Sequence, residues 1–357
     1  MVKPLNNFQK IIGHKENIEF LKRLKDKPFC RSLIFYGKKG IGKRTLALVF
    51  AQYLNCLNSE IAPCGECSHC QTIENLEYPY LDIIFPGLEN VKEIKDDEKY
   101  EEMLDLRSQY RLFEMRPETS KKASISIDLI KELKGRIKIK VDNYRIYLIF
   151  EAEKLTQEAS NAFLKTLEEP PDKVFFILTT DQLHKLPTTI LSRCYLLKFF
   201  PLPIRDIENY LINKGYPKEV AKKASLFSFG SLREAIKLAN RGEKIFNEEV
   251  IKFTETRKKE TAYYLFRNFY EKYSELDYDE IVNFIKDLIL LYRGFLYQKL
   301  GYLSLWEVEP KLKYLAEKKN YEEIISSLYK LNQIYEECEY NLNKRLILFH
   351  LYSSLYC

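Results

Sequence analysis

A glycine-rich segment that follows an apolar run has the residue types and the spacing of a phosphate-binding loop. The run 33–36 leads into Gly37, and Gly37 and Gly42-Lys43 form the pattern G-x-x-x-x-G-K, with a third glycine at Gly40. Glycines here let successive backbone N–H groups point inward and hold an anion, and the start of a helix adds its partial positive charge. Lys43 would reach the outer phosphates. A glycine turn that matches by chance is the alternative, but the flanking apolar run and helix favour a nucleotide-binding loop.

Two positions around this loop depart from the pattern of a hydrolytic site. Arg44 stands where a Ser or Thr hydroxyl would ligate Mg²⁺, and Thr45, one residue later, is turned by about 100° on a helix. A second apolar run, 144–150, ends in Phe150-Glu151, where hydrolytic sites have Asp-Glu. Phe150 therefore occupies the place of the metal-binding Asp, and Glu151 is a vestigial copy of the residue that orients the attacking water. Because both changes would adjoin the same ion, they argue against efficient hydrolysis of ATP.

Four of the eight cysteines form a cluster directly after the predicted loop helix. Cys56, Cys64, Cys67 and Cys70 have the spacing C-x7-C-x2-C-x2-C. Knuckle turns of this kind bring neighbouring sulfurs onto one tetrahedral Zn²⁺ ion. An iron–sulfur cluster or unrelated buried thiols are the alternatives. Since four thiolates leave no position open for water, the predicted Zn²⁺ site is structural rather than catalytic.

The bulk properties are those of a globular protein of two or three domains. The chain has 357 residues, of which 46% are hydrophobic and 30% charged, and no run approaches 18 uncharged apolar residues. Its first residues contain no apolar signal region, so we expect a cytoplasmic protein without membrane contact. The net charge of +6 permits contact with nucleic acid but does not demand it.

The elements that must position these residues are apolar runs separated by helical patterns. We predict helices within 5–30, at 128–138 and at 156–169, and strands at 81–85 and 174–180. The segment 88–122, polar from residue 92 onward, is interpreted as a surface insertion. Beyond residue 243 the apolar residues step by three and four, which indicates helices, the last at 344–356.

With these motifs in order along the chain, the sequence resembles the bacterial DNA polymerase III clamp-loader subunits, which are AAA+ proteins of DNA replication. Three segments carry the resemblance: the four-cysteine insertion, the run Asn-Ala-Phe-Leu-Lys-Thr-Leu-Glu-Glu-Pro-Pro at 161–171, and Leu-Thr-Thr-Asp at 178–181 leading to Ile-Leu-Ser-Arg-Cys at 190–194. The resemblance covers almost the whole chain. It implies an α/β P-loop AAA+ module, with a parallel sheet flanked by helices, a small helical lid and a C-terminal all-α collar domain.

The same resemblance implies domain boundaries and partners. The expected domains are an AAA+ nucleotide-binding domain at 1–200 with the zinc insertion at 56–70, a lid at 201–243, and a collar at 244–357 through which subunits form a partial ring. The expected partners are clamp-loader gamma/tau and delta subunits and the sliding clamp. Primer-template DNA would be contacted through the complex.

Further site residues follow from the family's motifs. Ser192-Arg193-Cys194 matches the motif whose arginine acts in trans on ATP held by a neighbouring subunit, where a fork of donors neutralises charge on the γ-phosphate. Taken in isolation, the motif would more often form a salt bridge at a helix end. Thr180 (or the adjacent Thr179) and Arg233 match the positions that sense nucleotide in the family.

Within the family, an altered loop combined with an intact trans arginine resembles the delta-prime subunit. The gamma/tau motor keeps the full loop and an Asp-Glu pair, whereas delta-prime subunits often have a degenerate loop and keep the arginine. The expected function is therefore that of a ring member with little or no ATPase activity of its own, whose loop can still hold ATP or ADP without Mg²⁺. The alternatives are an active gamma/tau-type motor and a zinc-dependent adaptor with a vestigial ATPase fold.

Overall fold

The structure is a computed structural model that describes residues 7–26, 28–87, 105, 108, 110, 123–137, 142–242, 246, 248–255, 267, 270–301, 310–338 and 343–356. The chain forms two compact units. One comprises Met1–Tyr210 and Ser228–Ala235, and the other comprises Leu211–Phe227 and Ile236–Cys357. The finer division into three domains stays a prediction.

The first unit is built on a parallel sheet. Its strands are β1 (Ser32–Tyr36), β2 (Leu81–Ile84), β3 (Arg145–Ile149), β4 (Val174–Thr180) and β5 (Tyr195–Lys198), in the order β2-β3-β4-β1-β5. In the centre, Leu33 pairs with Ile177 on one side and with Tyr195 on the other. Because all strands run the same way, the segments that follow β1, β3 and β4 meet at one edge of the sheet, which is where parallel sheets bind ligands.

Helices cover both faces of this sheet. They are α1 (Lys15–Asp26), α2 (Lys43–Asn55), α3 (Ser68–Glu74), α4 (Ile127–Ile137), α5 (Gln157–Glu168) and α6 (Thr188–Leu191). Leu33 and Phe35 pack into a core cluster with residues of α1 and α2, whereas Ile34 packs into another with residues of α4 and α5. Successive strand residues point to opposite faces, so both must be apolar, and this explains the continuous apolar runs in the sequence. The predicted α/β module is confirmed.

The remainder of the described chain is helical. The helices are α7 (Ile204–Asn213), α8 (Lys218–Phe227), α9 (Leu232–Asn240), α10 (Glu248–Glu255), α11 (Tyr278–Lys299), α12 (Pro310–Lys318), α13 (Tyr321–Glu337) and α14 (Lys344–Tyr356). On α13 the predicted apolar face is buried at Ile324, Leu328 and Leu331. A capping box at Asn320 and Glu323 fixes the start of that helix. The predicted helical C-terminal region is confirmed.

Several elements differ from expectation. The edge strand β5 has no counterpart among the predicted elements. Three of its four residues are exposed, and its position depends on pairing with β1. The predicted insertion 88–122 lies outside the described residues except at positions 105, 108 and 110. Among the helices of the described ranges, none is long and apolar enough to cross a membrane.

Candidate functional site

The predicted phosphate loop lies between the end of β1 and the start of α2. Gly37, Gly40 and Gly42 all have positive φ, at 146°, 77° and 99°. Gly37 N–H donates to the carbonyl of Thr180 at 3.3 Å, so the start of the loop is fixed to the end of β4. A turn of this shape, opening a helix of 13 residues, presents backbone N–H groups to an anion.

At two of these positions a side chain would clash with neighbouring atoms, in addition to the strain of the positive φ angle. A Cβ at Gly37 would lie 2.4 Å from the carbonyl oxygen of Phe199, and a Cβ at Gly40 would lie 2.4 Å from Ser231 Oγ. A Cβ at Gly42 would meet nothing within 4 Å. The loop is therefore packed tightly against its own chain at its first two glycines and is open beside the third.

The segment 228–233 packs directly on this loop and brings the predicted sensor residue Arg233 to it. Ser231 Oγ donates to the carbonyl of Lys39 at 3.0 Å, and Arg233 N–H donates to the carbonyl of Gly40 at 3.2 Å. Lys38 Nζ donates to the carbonyl of Phe229 at 3.1 Å. Arg233 Nε is buried and has no hydrogen-bond partner in the part of the chain that the structure describes. An orphaned, buried cationic donor beside a concavity of N–H groups fits a phosphate group.

Lys43 lies inside the loop. Its ammonium group donates to the carbonyls of Gly37, at 2.5 Å, and Lys38, at 2.8 Å, and the residue is only 9% exposed. A buried ammonium needs such acceptors, because it loses its water. A phosphate that bound here would have to replace carbonyl oxygens as the acceptor of this group.

The two altered metal positions, Arg44 and Phe150, both contact Tyr110. The guanidinium carbon of Arg44 lies 5.7 Å from the centroid of the Tyr110 ring, a cation–π distance. Phe150 stacks on the same ring at 5.4 Å with an interplanar angle of 8°, and Phe85 stacks on it at 4.1 Å. Tyr110 is fully buried. The positions that would have held Mg²⁺ are thus brought together, but an aromatic ring from the predicted insertion fills the space beside them.

The acidic groups after β3 and β4 form a second cluster at the same edge. Glu151 lies two residues after the end of β3 and has φ 53°, a left-handed conformation that is unusual for a non-glycine residue and often marks functional sites. Burial, strengthened by a hydrogen bond with Asp181, raises the pKa of Glu153 to about 7, while a hydrogen bond with Thr180 opposes the shift. Thr180 is itself buried and accepts from Gln182 N–H at 3.0 Å. The Thr180 hydroxyl is therefore hydrogen-bonded within its own chain.

Arg193 lies just after α6, away from the phosphate loop in sequence. Its Nε donates to Glu168 Oε2 at 2.9 Å, and its Nη1 donates to the carbonyl of Thr189 at 3.0 Å. The side chain of Arg193 is 30% exposed and that of Glu168 is 58% exposed. Nη2 has no partner among the described residues. The salt bridge that the isolated motif would predict is present, and the guanidinium keeps donors for a second acceptor.

The four predicted metal ligands come together. Sγ atoms of Cys56 and Cys64 lie 3.6 Å apart, and the pairs Cys56–Cys67 and Cys64–Cys70 are each 4.0 Å apart. All four sulfurs lie within 4.8 Å of one another. Tetrahedral Zn²⁺ with bonds of about 2.3 Å places its sulfurs about 3.8 Å apart, so the cluster fits a metal ion of this kind.

Backbone donors support this cluster. Cys67 N–H donates to Cys64 Sγ at 3.3 Å, and Cys70 N–H donates to Cys67 Sγ at 3.5 Å. Burial raises the pKa of the Cys67 thiol, but hydrogen bonds from the backbone of Leu57 and Cys70 and from neighbouring thiols outweigh burial and lower it to about 7. Thiolate is the form that binds metal.

A buried polar relay joins the cluster to α2, and no sequence pattern indicated it. Gln52 Nε2 donates to the carbonyl of Cys70 at 2.8 Å, and Asn7 Nδ2 donates to Gln52 Oε1 at 2.7 Å. His69 does not join the cysteines: its Nδ1 contacts the carbonyl of Asn55 at 2.8 Å. The predicted metal insertion is thereby bonded to the helix that the phosphate loop starts.

The structure also adds residues that sequence patterns did not single out. They are Tyr110 beside the altered metal positions, Glu153 beside Thr180, and Glu168 beside Arg193. Only Glu168 had a sequence signal, since it belongs to the run Leu-Glu-Glu-Pro-Pro at 167–171. The other two act through contacts that no local pattern encodes.

The sequence is similar to a known protein family and to individual known proteins. Residues 13–203 match the family described as DNA polymerase III, delta subunit. The chain is similar to DNA polymerase III subunit tau/gamma of Haemophilus influenzae, with 31% identity over 241 residues, and to subunit delta' of Bacillus subtilis, with 28% identity over 274 residues. The first match covers 65% of this chain and 30% of the relative, and the second covers 75% and 72%.

Two further proteins are similar to the chain. DNA polymerase III subunit tau of Bacillus subtilis is 29% identical over 65% of this chain and 37% of its own length, so the matched region spans only about a third of the tau-type relatives. A gamma subunit-related protein of Thermotoga maritima, a solved structure, is 20% identical over 94% of this chain and 97% of its own, with a TM-score of 0.41.

Proposed function

The chain belongs to the DNA polymerase III delta subunit family of clamp-loader proteins, and from this premise we propose that it acts as a delta-prime-type ring member in DNA replication. In this role it hydrolyses little or no ATP. It supplies Arg193 in trans to ATP held by a neighbouring gamma/tau-type subunit. Closure of the ring around nucleotide then opens a sliding clamp and places it on primer-template DNA.

The altered metal positions carry this proposal. Arg44 and Phe150 replace the two side chains that hold Mg²⁺ in hydrolytic loops, and both contact the buried ring of Tyr110. Without the metal, the charge that develops on a transferred γ-phosphate would not be neutralised, and Glu151 would have no activated water to orient. A cis site of this composition supports a subunit that does not turn over ATP itself.

The position of Arg193 supports the trans role. Its guanidinium is partly exposed, is held along one edge by Glu168, and keeps Nη2 for a further acceptor. A planar, always-charged fork of donors is the group best suited to neutralise a phosphate presented by another subunit. Thr180 and Arg233, which lie at the chain's own loop, would respond to nucleotide only in cis.

The remaining assignments complete this proposal. The four cysteines hold one structural Zn²⁺, the helices of 244–357 form the collar that joins gamma/tau and delta subunits, and 201–243 is a small lid. Such a subunit would work in the cytoplasm. Contacts to the clamp and to DNA would be made through the assembled ring.

A motor function is the second candidate, and one observation favours it. The tau/gamma relative of Haemophilus influenzae is 31% identical to the chain, against 28% for the delta' relative. An active motor would need Thr45 or a water molecule in place of the missing ligand. The chain alone would then hydrolyse Mg-ATP, and Lys43→Ala would abolish the turnover.

The decisive experiment measures ATP hydrolysis by the zinc-loaded chain alone and after assembly with gamma/tau and delta subunits, a sliding clamp and primed DNA. We expect no turnover by the chain alone and a rate in the assembly that falls at least tenfold with Arg193→Ala. Arg193→Lys keeps the charge without the fork and should recover little of the rate. Arg205→Ala, an exposed arginine nearby in sequence, is the matched control and should leave the rate unchanged.

Two outcomes would count against the proposal. Turnover by the chain alone that requires Lys43 would identify a motor. An assembly whose rate and clamp loading are unchanged by Arg193→Ala, but which fails when the cysteines are replaced, would identify a zinc-dependent adaptor.

A further inference from the structure

The aromatic group beside the phosphate loop comes from a segment that is distant in sequence from the loop. Tyr110 is fully buried and stacks on Phe85 and Phe150, with ring centroids 4.1 and 5.4 Å away. A divalent cation requires oxygen ligands and retained water, and neither the Arg44 nor the Phe150 side chain supplies an oxygen at the two positions that hold Mg²⁺ in hydrolytic loops. The Tyr110 ring lies against both of these side chains. The loop therefore lacks two of the side-chain groups that would hold a divalent ion.

The same corner carries a permanent positive charge. Arg44, at the second position of α2, has its guanidinium 5.7 Å from the Tyr110 ring centroid. Contact with an aromatic face orients a guanidinium. The group is always charged, because arginine does not lose its proton in proteins. Arginine also binds phosphate oxygens through two parallel hydrogen bonds, which an ammonium group cannot do.

The rest of the loop retains what an anion needs. The positive φ angles of Gly37, Gly40 and Gly42 form a concavity of N–H groups, and Lys43 lies within it. Arg233 is attached to the loop by its backbone N–H, which donates to the Gly40 carbonyl, and its Nε is buried without a hydrogen-bond partner in the described ranges. A buried donor without an acceptor is destabilising, and a phosphate oxygen would satisfy it.

We propose that this phosphate loop binds a nucleoside diphosphate without a divalent metal ion, and that Arg44, held against Tyr110, supplies the charge that Mg²⁺ supplies in hydrolytic loops. In hydrolytic sites the metal bridges the β- and γ-phosphates. Arg44 supplies one positive charge where Mg²⁺ supplies two, so the extra negative charge of a γ-phosphate would have no matching cation from this position. The loop should therefore prefer the diphosphate to the triphosphate, and the bound nucleotide would be a fixed structural ligand.

This inference goes beyond the trans role of Arg193 and does not depend on it. Separate experiments test the two proposals. The trans role is tested by the ATPase rate of the assembled ring, and the diphosphate site is tested by nucleotide binding to the chain alone. A negative result in one experiment does not contradict the other proposal.

The test is calorimetric titration of the full-length, zinc-loaded chain with ADP and with ATP, in metal-depleted buffer and again with 5 mM Mg²⁺. Free chelator is left out, because it would strip the cysteine site. We expect the affinity for ADP to change less than twofold on adding Mg²⁺, and ATP to bind at least tenfold more weakly than ADP without the metal. ADP affinity that rises tenfold or more with Mg²⁺ would overturn the proposal, as would no ADP binding in either buffer.

Variants identify the residues. Arg44→Ala should weaken ADP binding at least tenfold, and Arg44→Lys should recover only part of it, since the fork of donors is lost. Arg23→Ala removes an exposed arginine of α1 and is the charge-matched control. Thermal melting of each variant checks folding, and unchanged ADP affinity in a folded Arg44→Ala variant would refute the assignment.

Discussion

At the scale of single residues, Arg193 shows how a trans-acting group can be prepared by its own chain. An arginine side chain loses rotamer freedom when it binds, and that entropy opposes the interaction. Glu168 accepts from Nε and the Thr189 carbonyl accepts from Nη1, so one edge of the guanidinium is already fixed. Among the described residues Nη2 has no acceptor, so in the proposed mechanism its donors serve an acceptor on another subunit. Glu168 is thus a positioning residue in the proposed mechanism.

Replacing this partner gives a graded prediction. Because the pair is largely exposed, it contributes roughly 0–1 kcal/mol, so Glu168→Gln should lower the ATPase rate of the assembled complex by up to about fivefold. The effect must be smaller than that of Arg193→Ala and absent in the double variant relative to Arg193→Ala alone. Glu169→Gln, the exposed neighbour, is the control. A rate that rises with Glu168→Gln would mean that the carboxylate holds the arginine away from its target.

Glu153 gives a prediction about pH. Burial raises its pKa from the ordinary 4.5 to about 7, so between these values the folded chain holds a proton that the unfolded chain releases. This contribution to stability is present at low pH and is lost as the pH rises through about 7. Glu153→Gln keeps the neutral form, so at pH 8 the variant should be more stable than the wild type by about 2–3 kcal/mol.

Urea denaturation at pH 4.5 and pH 8 measures that difference. The gap between Glu153→Gln and the wild type should be small at pH 4.5 and large at pH 8. Glu158→Gln, on the exposed side of α5, should show no such change. A variant less stable than the wild type at pH 8 would mean that the ionised carboxylate makes a stabilising contact.

At the scale of elements, the sequence indicated the strands and helices whose apolar residues are buried and recur at regular spacing. Strand β4 and helix α14 lie at the predicted residues because continuous apolar runs and three-four steps reflect burial directly. Strand β5 could not be found in this way, since its side chains are mostly exposed and its position depends on pairing with β1. The altered metal positions could be read from a motif, whereas Tyr110 could not, because its role depends on contacts with residues far away in the chain.

The cysteine cluster is the element whose stability depends most on a ligand. Four thiols within 4.8 Å of one another would repel one another as thiolates, so a bound Zn²⁺ should contribute to folding of the segment that holds α3. We expect about one zinc per chain in the purified protein and close to none in Cys67→Ser. The metal content is measured by atomic emission.

A matched variant separates this site from the other thiols. Cys30 is partly buried and lies outside the cluster, so Cys30→Ser should retain its zinc. Iron in place of zinc, with visible absorption, would favour the cluster alternative. Equal zinc content in the Cys67→Ser variant and the wild type would refute the site.

At the scale of the whole molecule, the two compact units have different sources of stability. The unit of Met1–Tyr210 and Ser228–Ala235 contains the sheet, the phosphate loop and all four clustered cysteines, whereas the described part of the other unit is helical and contains none of them. Local sequence patterns could identify both kinds of structure. They could not locate the division, because 228–235 joins the first unit through long-range bonds such as Ser231 Oγ to the Lys39 carbonyl.

This division predicts how the full chain unfolds. Chains of several cooperative units need not melt in one step, and a ligand raises the melting temperature only of the unit that binds it. Scanning calorimetry should therefore resolve two transitions, and removal of zinc with a chelator should lower one of them by several degrees while leaving the other within about one degree. Cys67→Ser should reproduce the shift without chelator, which excludes an effect of the reagent on the helical unit. A single transition that moves as a whole on zinc removal would mean that the two units unfold together, and that the metal stabilises the entire molecule rather than the sheet-containing unit alone.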